Sequence, residues 1–437
     1  MGTGSIDSGS RLRAAQRRAL RVAKRKLRHS GEIRWVAFVA LTVALATLAP
    51  AAGLGAAPSA DSELLLGMST ALSGPAAELG ENMRAGVLAA LDEANRAGGI
   101  GGRSLRLVSL DDQYEPAQTV PNMRALIDDH AAVAIVGNVG TPTAVAAIPI
   151  ANESKAPFFG AFTGAGVLRK TPPDRYVINY RASYAEETAA MVDALVEKAG
   201  LKVNEIAFFT QRDAYGDAGF VGGITALRRH GLASEHDVAH GRYERNTLAV
   251  ENGLAEILQA DPMPRAVIMV GAYAPCARFI ELTRDLAPDI LFLNVSFVGA
   301  APLSKALGDK GEGVIVTQVV PHIDADIPVV AEYREALSAM DGDAGPTFGS
   351  LEGYVTTRIL LQALRSSSGL VTRESVVDSL EGLGNFDIGL GVPLHLGPDD
   401  HQASHTVWPT ILRGGRIEPL EWAELGGSTG ASAARRQ

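Results

Sequence analysis

The chain has 437 residues, 46% hydrophobic and 20% charged, with a formal net charge of −9. That length and apolar content support two or three packed domains and exclude intrinsic disorder for the bulk of the chain. A single cysteine, Cys276, excludes an intramolecular disulfide and a cysteine-based zinc site, and the negative charge argues against nucleic acid as a partner.

The charge is unevenly placed. Residues 1–57 hold ten of the 40 basic residues and two of the 49 acidic ones, so residues 58–437 carry 30 and 47, a net charge of −17. The basic stretch ends at Arg34. Residues 35–49 are uncharged and apolar, and Pro50, Gly53 and small residues up to Ala57 follow. A positive region, an apolar region and an Ala-x-Ala-like end make an export signal over 1–57, cleaved near Ala57 to leave the protein in a periplasm. The alternative is an uncleaved signal that anchors the chain to the inner membrane. No cysteine follows the apolar run, which excludes a lipid anchor there.

From Ser62 onward strands and helices alternate. Residues 63–68 are predicted as a strand. Leu79, Met83, Val87, Leu91 and Ala94 recur at helical spacing and mark one buried face, closed by Gly98-Gly99. Then follow a strand at 105–110, a helix at 116–128, a strand at 132–136, a helix at 143–153 and a strand at 157–161. A second series begins near Tyr180, with a helix at 187–199, a strand at 205–210 and helices at 219–230 and 248–259. It continues with a strand at 265–270, a helix at 275–286 and a strand at 290–295. Beyond it come a strand at 313–320, helices at 329–340, 347–364 and 373–383, and a strand at 406–412. The Gly/Ser/Ala-rich tail from 425 reads as flexible. Strands apolar throughout, alternating with helices, imply parallel sheets covered on both faces. Two such series of similar length imply two Rossmann-like α/β lobes.

In open α/β sheets ligands bind beyond the carboxyl ends of the strands. One such loop reads Gly137-Asn138-Val139-Gly140-Thr141-Pro142-Thr143. Thr141 suits an N-cap and Pro142 the first helical position, and free backbone N–H groups there favour an anion. The plainer alternative is an ordinary capped helix. A second loop, Phe162-Thr163-Gly164-Ala165-Gly166, places another hydroxyl beside glycine, and two such loops suit one carboxylate. Aromatic residues recur at loop positions as well: Tyr114, Tyr184, Tyr215, Tyr273 and Phe297. Together they suggest a mostly apolar cleft with a few polar anchors.

Catalytic signatures are missing. Gly137-x-x-Gly140 lacks the third glycine of a dinucleotide loop, and neither a phosphate-binding loop nor a Gly-x-Ser-x-Gly elbow occurs. Asp111-Asp112 and Asp399-Asp400-His401 are acidic clusters better suited to capping than to metal or acid–base work. No catalytic residue, metal or cofactor is expected. Cys276, at a helix start beyond Tyr273, is expected to be a buried inert thiol.

Several motifs then fall in a recognisable order. They are Leu72-Ser73-Gly74-Pro75; Glu93-Ala94-Asn95 with Gly98-Gly99-Ile100-Gly101-Gly102-Arg103; Asp111-Asp112-x-Tyr114-x-Pro116; Ile135-Val136-Gly137 with Pro149; and Asp213-Ala214-Tyr215-Gly216. Through them the chain resembles the type I periplasmic binding proteins, in the leucine/isoleucine/valine-binding branch that serves ATP-driven (ABC) uptake transporters. The resemblance spans about residues 64–420. Phe162-Thr163-Gly164-Ala165 with Leu168-Arg169, Arg181-Ala182-Ser183-Tyr184, Asn294-Val295-Ser296-Phe297-Val298-Gly299 and Leu351-Glu352-Gly353-Tyr354 resemble a less characterised subgroup of it.

The resemblance implies two α/β lobes joined by three crossing segments, near Tyr180, Val319 and Leu396. One lobe would comprise residues 58–180 and 320–396, the other 181–319 and 397–424. It implies a non-enzymatic receptor, monomeric, that closes on a small amino-acid-like or other carboxylate ligand and delivers it to a membrane permease. An anchored sensor with the same cleft is the alternative. By the resemblance, the hydroxyl for the ligand carboxylate falls on Thr141, the loop that supplies backbone groups on Phe162, Thr163 and Gly164, and the second-lobe tyrosines on Tyr215 and Tyr273. Two positions depart from the family. The acid for the ligand ammonium falls on Ser296, and the aromatic of the first loop falls on Leu79. A buried ammonium without a counter-charge is costly. Either Glu352 or Asp213 then replaces the missing acid, or the ligand has no ammonium.

Overall fold

The computed structural model describes residues 63–340, 345–367 and 369–427. The expected export signal over 1–57 lies outside the described residues, as does most of the expected tail. Leu425, the first residue of that tail, is instead buried.

The first lobe is built from β1 (Glu63–Thr70), α1 (Ala77–Arg96), β2 (Ser104–Asp111), α2 (Pro116–Arg124), β3 (Ala134–Val136), α3 (Thr141–Glu153), β4 (Phe158–Phe159) and β5 (Val177–Ile178). Its five strands run parallel in the order β2-β1-β3-β4-β5. The second lobe starts with α4 (Tyr184–Asp193), β6 (Ile206–Gln211), α5 (Ala214–Arg229), β7 (His240–Tyr243), α6 (Glu251–Leu258) and β8 (Ala266–Val270). It continues through α7 (Tyr273–Leu286), β9 (Leu291–Asn294), α8 (Ala300–Leu307) and β10 (Ile315–Gln318). The chain then returns with α9 (Pro328–Ser338), α10 (Phe348–Ser366), α11 (Arg373–Glu381) and a hairpin of β11 (Gly384–Phe386) and β12 (Leu394–Leu396). It ends on β13 (Trp408–Arg413) and β14 (Arg416–Pro419).

The second sheet runs β14-β13-β10-β9-β8-β6-β7. Its parallel part, β7-β6-β8-β9-β10, repeats the winding of the first sheet. In each lobe the strand order reverses beside the first strand, at β1/β3 and at β6/β8, and those reversals open the crevices in which α/β proteins bind ligands. The sheets are not parallel throughout: β13 and β14 add to β10 as antiparallel strands. The central strands β6 and β8 are buried at every residue, as strands covered on both faces must be.

The face of α1 expected from the sequence is buried, and α10 covers it. The two helices cross at closest approach: a Cβ on Gly86 would lie 1.8 Å from the Ser350 carbonyl oxygen, and one on Gly353 would lie 2.3 Å from that of Met83. Two helices start earlier than expected because their caps lie upstream. Ser183 and Glu186 form a capping box at α4, and the Asp213 side chain accepts from Tyr215 N at α5.

The segments that run between the lobes meet around Asn179 and Tyr180. Ala403 N donates to Asn179 O at 2.9 Å, Ser404 N to Tyr180 O at 2.8 Å, and Tyr180 Oη to Val319 O at 2.8 Å. Leu396, expected near the third crossing, pairs with Gly384 in the hairpin. Residues 402–404 run beside the first crossing instead.

Candidate functional site

The loop after β3 carries Thr141 into the space between the lobes. Gly140 takes the N-cap position with φ of 105° and Thr141 is the first helical residue, so the helix starts one place earlier than the sequence pattern suggests. A Cβ at Gly140 would fall 2.1 Å from the Tyr114 ring, so the position needs glycine for space as well as backbone angle. Thr143, not Thr141, turns its hydroxyl back on this loop, donating to Val139 O at 2.6 Å. The Thr141 hydroxyl is therefore free of capping, and it lies 2.6 Å from the Thr163 hydroxyl. Phe162 N donates to Asn138 O at 2.7 Å, which sets the two loops side by side. Arg169 braces the second loop by donating to the carbonyls of Thr163 and Ala165 at 3.3 and 3.0 Å, and to Arg181 O at 2.9 Å. Tyr184 N donates to Gly164 O at 2.7 Å, tying the loop to the start of α4.

Aromatic rings from both lobes meet there. Phe297 lies 4.5 Å from Tyr215, 5.5 Å from Phe162 and 5.9 Å from Tyr114, and Tyr184 lies 5.2 Å from Tyr215. Tyr114 reaches this cluster from a turn in which Gln113 and Tyr114 have φ of 55° and 60°. The paired aspartates hold that turn: Gln113 N donates to Asp111 at 2.9 Å and Tyr114 N to Asp112 at 3.0 Å. Asp111-Asp112 thus acts as a capping pair. His401 of the other acidic cluster lies 2.9 Å from Val177 O and 3.1 Å from Glu381.

Arg181 sits at the centre. Its side chain is 1% exposed, with its guanidinium carbon 4.8 Å from the Phe162 ring centroid and 5.9 Å from that of Tyr184. Nη2 lies 3.5 Å from Glu187 Oε1 and donates to Ser296 Oγ, while Nη1 lies 3.6 Å from Glu352 Oε1. Glu187 is also held by Ser296 N at 2.7 Å, Ser296 Oγ at 3.0 Å and Thr317 Oγ1 at 2.6 Å. Burial raises the pKa of both acids against the pull of Arg181, that of Glu352 to about 7. Leu79, Asn82, Phe162, Ser296, Gln318 and Glu352 line a cavity of about 20 Å³, the room of a single water, and two of these residues, Ser296 and Glu352, are partners of Arg181.

Of the expected positions, the structure brings Thr141, Phe162, Thr163, Gly164, Tyr184, Tyr215, Ser296, Phe297, Leu79 and Glu352 around this centre. Tyr273 is half-buried at the start of α7, beside Glu78 at the start of α1. Asp213 is engaged elsewhere, with Gln211 Nε2 at 2.7 Å and Arg245 Nη1 at 3.2 Å. Cys276 is buried, and burial pushes its thiol pKa far up. Sequence reasoning missed Arg181 and Glu187 as parts of the site. Arg181 stood inside a quoted motif, but nothing in the pattern marked it as buried.

The lobes touch across the cleft. Gln211 Nε2 donates to Tyr114 Oη at 3.0 Å, and Glu115 accepts from Arg245 at 2.7 Å and from Asn246 at 2.6 Å.

A family model described as periplasmic binding protein matches residues 63–416. The chain is 56% identical to the solved structure of a possible leucine/isoleucine/valine-binding protein from Rhodopirellula baltica SH 1. That match covers 85% of this chain and 99% of the other, with a TM-score of 0.82. A solved substrate-binding periplasmic protein from Ralstonia solanacearum is 29% identical over 82% of this chain and 100% of its own, with a TM-score of 0.74. The Leu/Ile/Val-binding protein homolog 7 of Brucella suis biovar 1 (strain 1330) is 25% identical over 340 residues, 74% of this chain and 82% of its own.

Proposed function

This chain belongs to the periplasmic binding protein family, and on that premise we propose that it is an exported, non-enzymatic receptor for an ABC uptake transporter. It binds a small amino-acid-like or other carboxylate solute between its lobes and presents the closed form to a membrane permease. Its place is the periplasm, reached through the basic and apolar segment at residues 1–57.

One observation carries this reading. The two lobes bring the Thr141–Thr163 hydroxyl pair and the Arg181–Glu187–Glu352 cluster to one buried place at the carboxyl ends of both sheets. Polar groups so placed between separable bodies suit a solute that enters the open cleft and is enclosed by rigid-body closure. The relatives named for leucine, isoleucine and valine support a solute of amino-acid size.

The test is a thermal-shift screen of the purified chain against L-amino acids, aliphatic and aromatic carboxylates, amides and sugars. A ligand at 100 times its dissociation constant stabilises by about 2.7 kcal/mol. A shift confined to amino acids or carboxylates supports the reading, and a shift with sugars alone overturns it.

A further inference from the structure

The cluster at the centre of the cleft narrows the class of solute, and this inference rests on the receptor function proposed above. A receptor for amino acids must keep a buried carboxylate open to balance the ligand ammonium, because an uncompensated buried charge is costly. Here the chain supplies a cation of its own. The Arg181 guanidinium lies among Glu187 at 3.5 Å, Glu352 at 3.6 Å and the Ser296 hydroxyl. Glu187 is saturated by three further hydrogen bonds, from Ser296 N, Ser296 Oγ and Thr317 Oγ1. Nε and Nη1 of Arg181, both buried, have no hydrogen-bond partner. The cavity that Ser296 and Glu352 help to line has an apolar wall that includes Leu79, Val319, Val320 and Phe348.

We propose that Arg181 occupies the place of a ligand ammonium, so that the cleft receives a small apolar monocarboxylate lacking an α-amino group. The carboxylate takes its counter-charge from Arg181, whose Nε and Nη1 make no hydrogen bond, and the apolar body turns toward Leu79 and Phe348.

Glu352 gives the proposal a pH signature. The groups that face it are Arg181 in the first crossing, Glu187 on α4, Arg169 in the loop after β4, and Tyr180. A bound carboxylate beside Arg181 favours protonated Glu352, because it adds a negative charge next to an acid already raised to about 7. Affinity for an amine-free carboxylate then falls by up to about tenfold per pH unit above about pH 7. A zwitterion that sets its ammonium on Glu352 shows the opposite slope.

The experiment is calorimetric titration of the full chain with leucine and its α-keto acid, and with phenylalanine and its α-keto acid. Each is measured near pH 6 and near pH 8. At least one keto acid is expected to bind about tenfold or more tightly than its amino acid, and to weaken at the higher pH. Arg181→Lys is expected to lose about tenfold or more of that affinity, because a lysine ammonium lacks the planar, multiply donating head. Should that variant fail to fold, Glu352→Gln is expected to abolish the pH slope. Tighter binding of the amino acids, with affinity rising with pH, overturns this inference and leaves the receptor function standing. A keto-acid slope that survives in Glu352→Gln overturns it too. If no member of these pairs or of the wider panel binds, the receptor function falls and the inference falls with it.

Discussion

The hydroxyl of Tyr114, on the first lobe, accepts a hydrogen bond of 3.0 Å from Gln211 Nε2 on the second. Tyr114 is fully buried and projects from a turn with left-handed backbone angles at Gln113 and at itself. Asp111 and Asp112 hold that turn, so the strained segment serves as one of the first lobe's contacts with the second. The adjacent Arg245–Glu115 pair, at 2.7 Å, reinforces the same contact.

Weakening that contact should shift the population toward the open form without touching the ligand. In Arg245→Ala we expect apparent affinity to fall by about two- to fivefold, the scale of a partly exposed ion pair. Small-angle scattering of the unliganded protein should report a larger radius. Affinity and radius both unchanged would mean that the pair does not bias closure.

Thr141→Val keeps the shape of the side chain and removes its hydroxyl. The loss takes one partner from the Thr163 hydroxyl, which keeps Ala165 N at 3.3 Å, and leaves a ligand oxygen unpaired, and binding should weaken by about 1–3 kcal/mol. Titration of the variant with any ligand of the parent chain measures this directly. Full affinity would remove the Thr141–Thr163 pair from the site.

Tyr215 and Tyr273 should behave differently on replacement by alanine. Tyr215 is fully buried, packs 4.5 Å from Phe297 and donates to Gly271 O at 3.2 Å. Its loss opens a cavity between the lobes and should cost about 3–5 kcal/mol of stability together with affinity. Tyr273 is half-buried, and its removal should leave stability within about 1 kcal/mol of the parent. Equal losses in denaturant melts would contradict the distinction drawn from their burial.

Stability should carry a pH window from the Glu186–His405 contact of 2.6 Å. Burial alone would raise the pKa of Glu186, but hydrogen bonds from His405, Ser183 and Gln402 outweigh it and hold the carboxyl at about 2. A depressed carboxylate stabilises above its ordinary value of 4.5, and the effect is lost as pH falls toward 2. The hydrogen bond to Glu186 raises the pKa of His405, so its contribution is complete below 6.5 and fades as pH climbs through the raised value. The difference in melting temperature between the parent and Glu186→Gln should therefore be widest between about pH 4.5 and 6.5. A difference that does not vary with pH would assign the effect to packing.

Periodicity and loop chemistry were legible from the residues alone. The α1 face from Leu79 to Ala94, the all-apolar strands around Phe208 and Ile268, and the hydroxyl-bearing loops at Thr141 and Thr163 follow from rules of spacing that act within about twenty residues. Order and spacing of the motifs added the family. Strand pairing was less legible, because β13 and β14 join the second sheet antiparallel and nothing local to Trp408 or Arg416 encodes that partner. The charges at the site were not legible. Arg181 stands in the sequence only as part of the Arg181-Ala182-Ser183-Tyr184 motif, since a side chain's burial depends on what packs over it from distant parts of the chain. Only the folded chain places Glu187 from one lobe and Glu352 from the other beside it, 6 and 171 positions away in sequence. It also removes Asp213 from the choice, by engaging it with Arg245. Local propensity thus determined the elements and loops. Burial and charge pairing are properties of the assembled tertiary structure, and they decided which of those residues could meet a ligand.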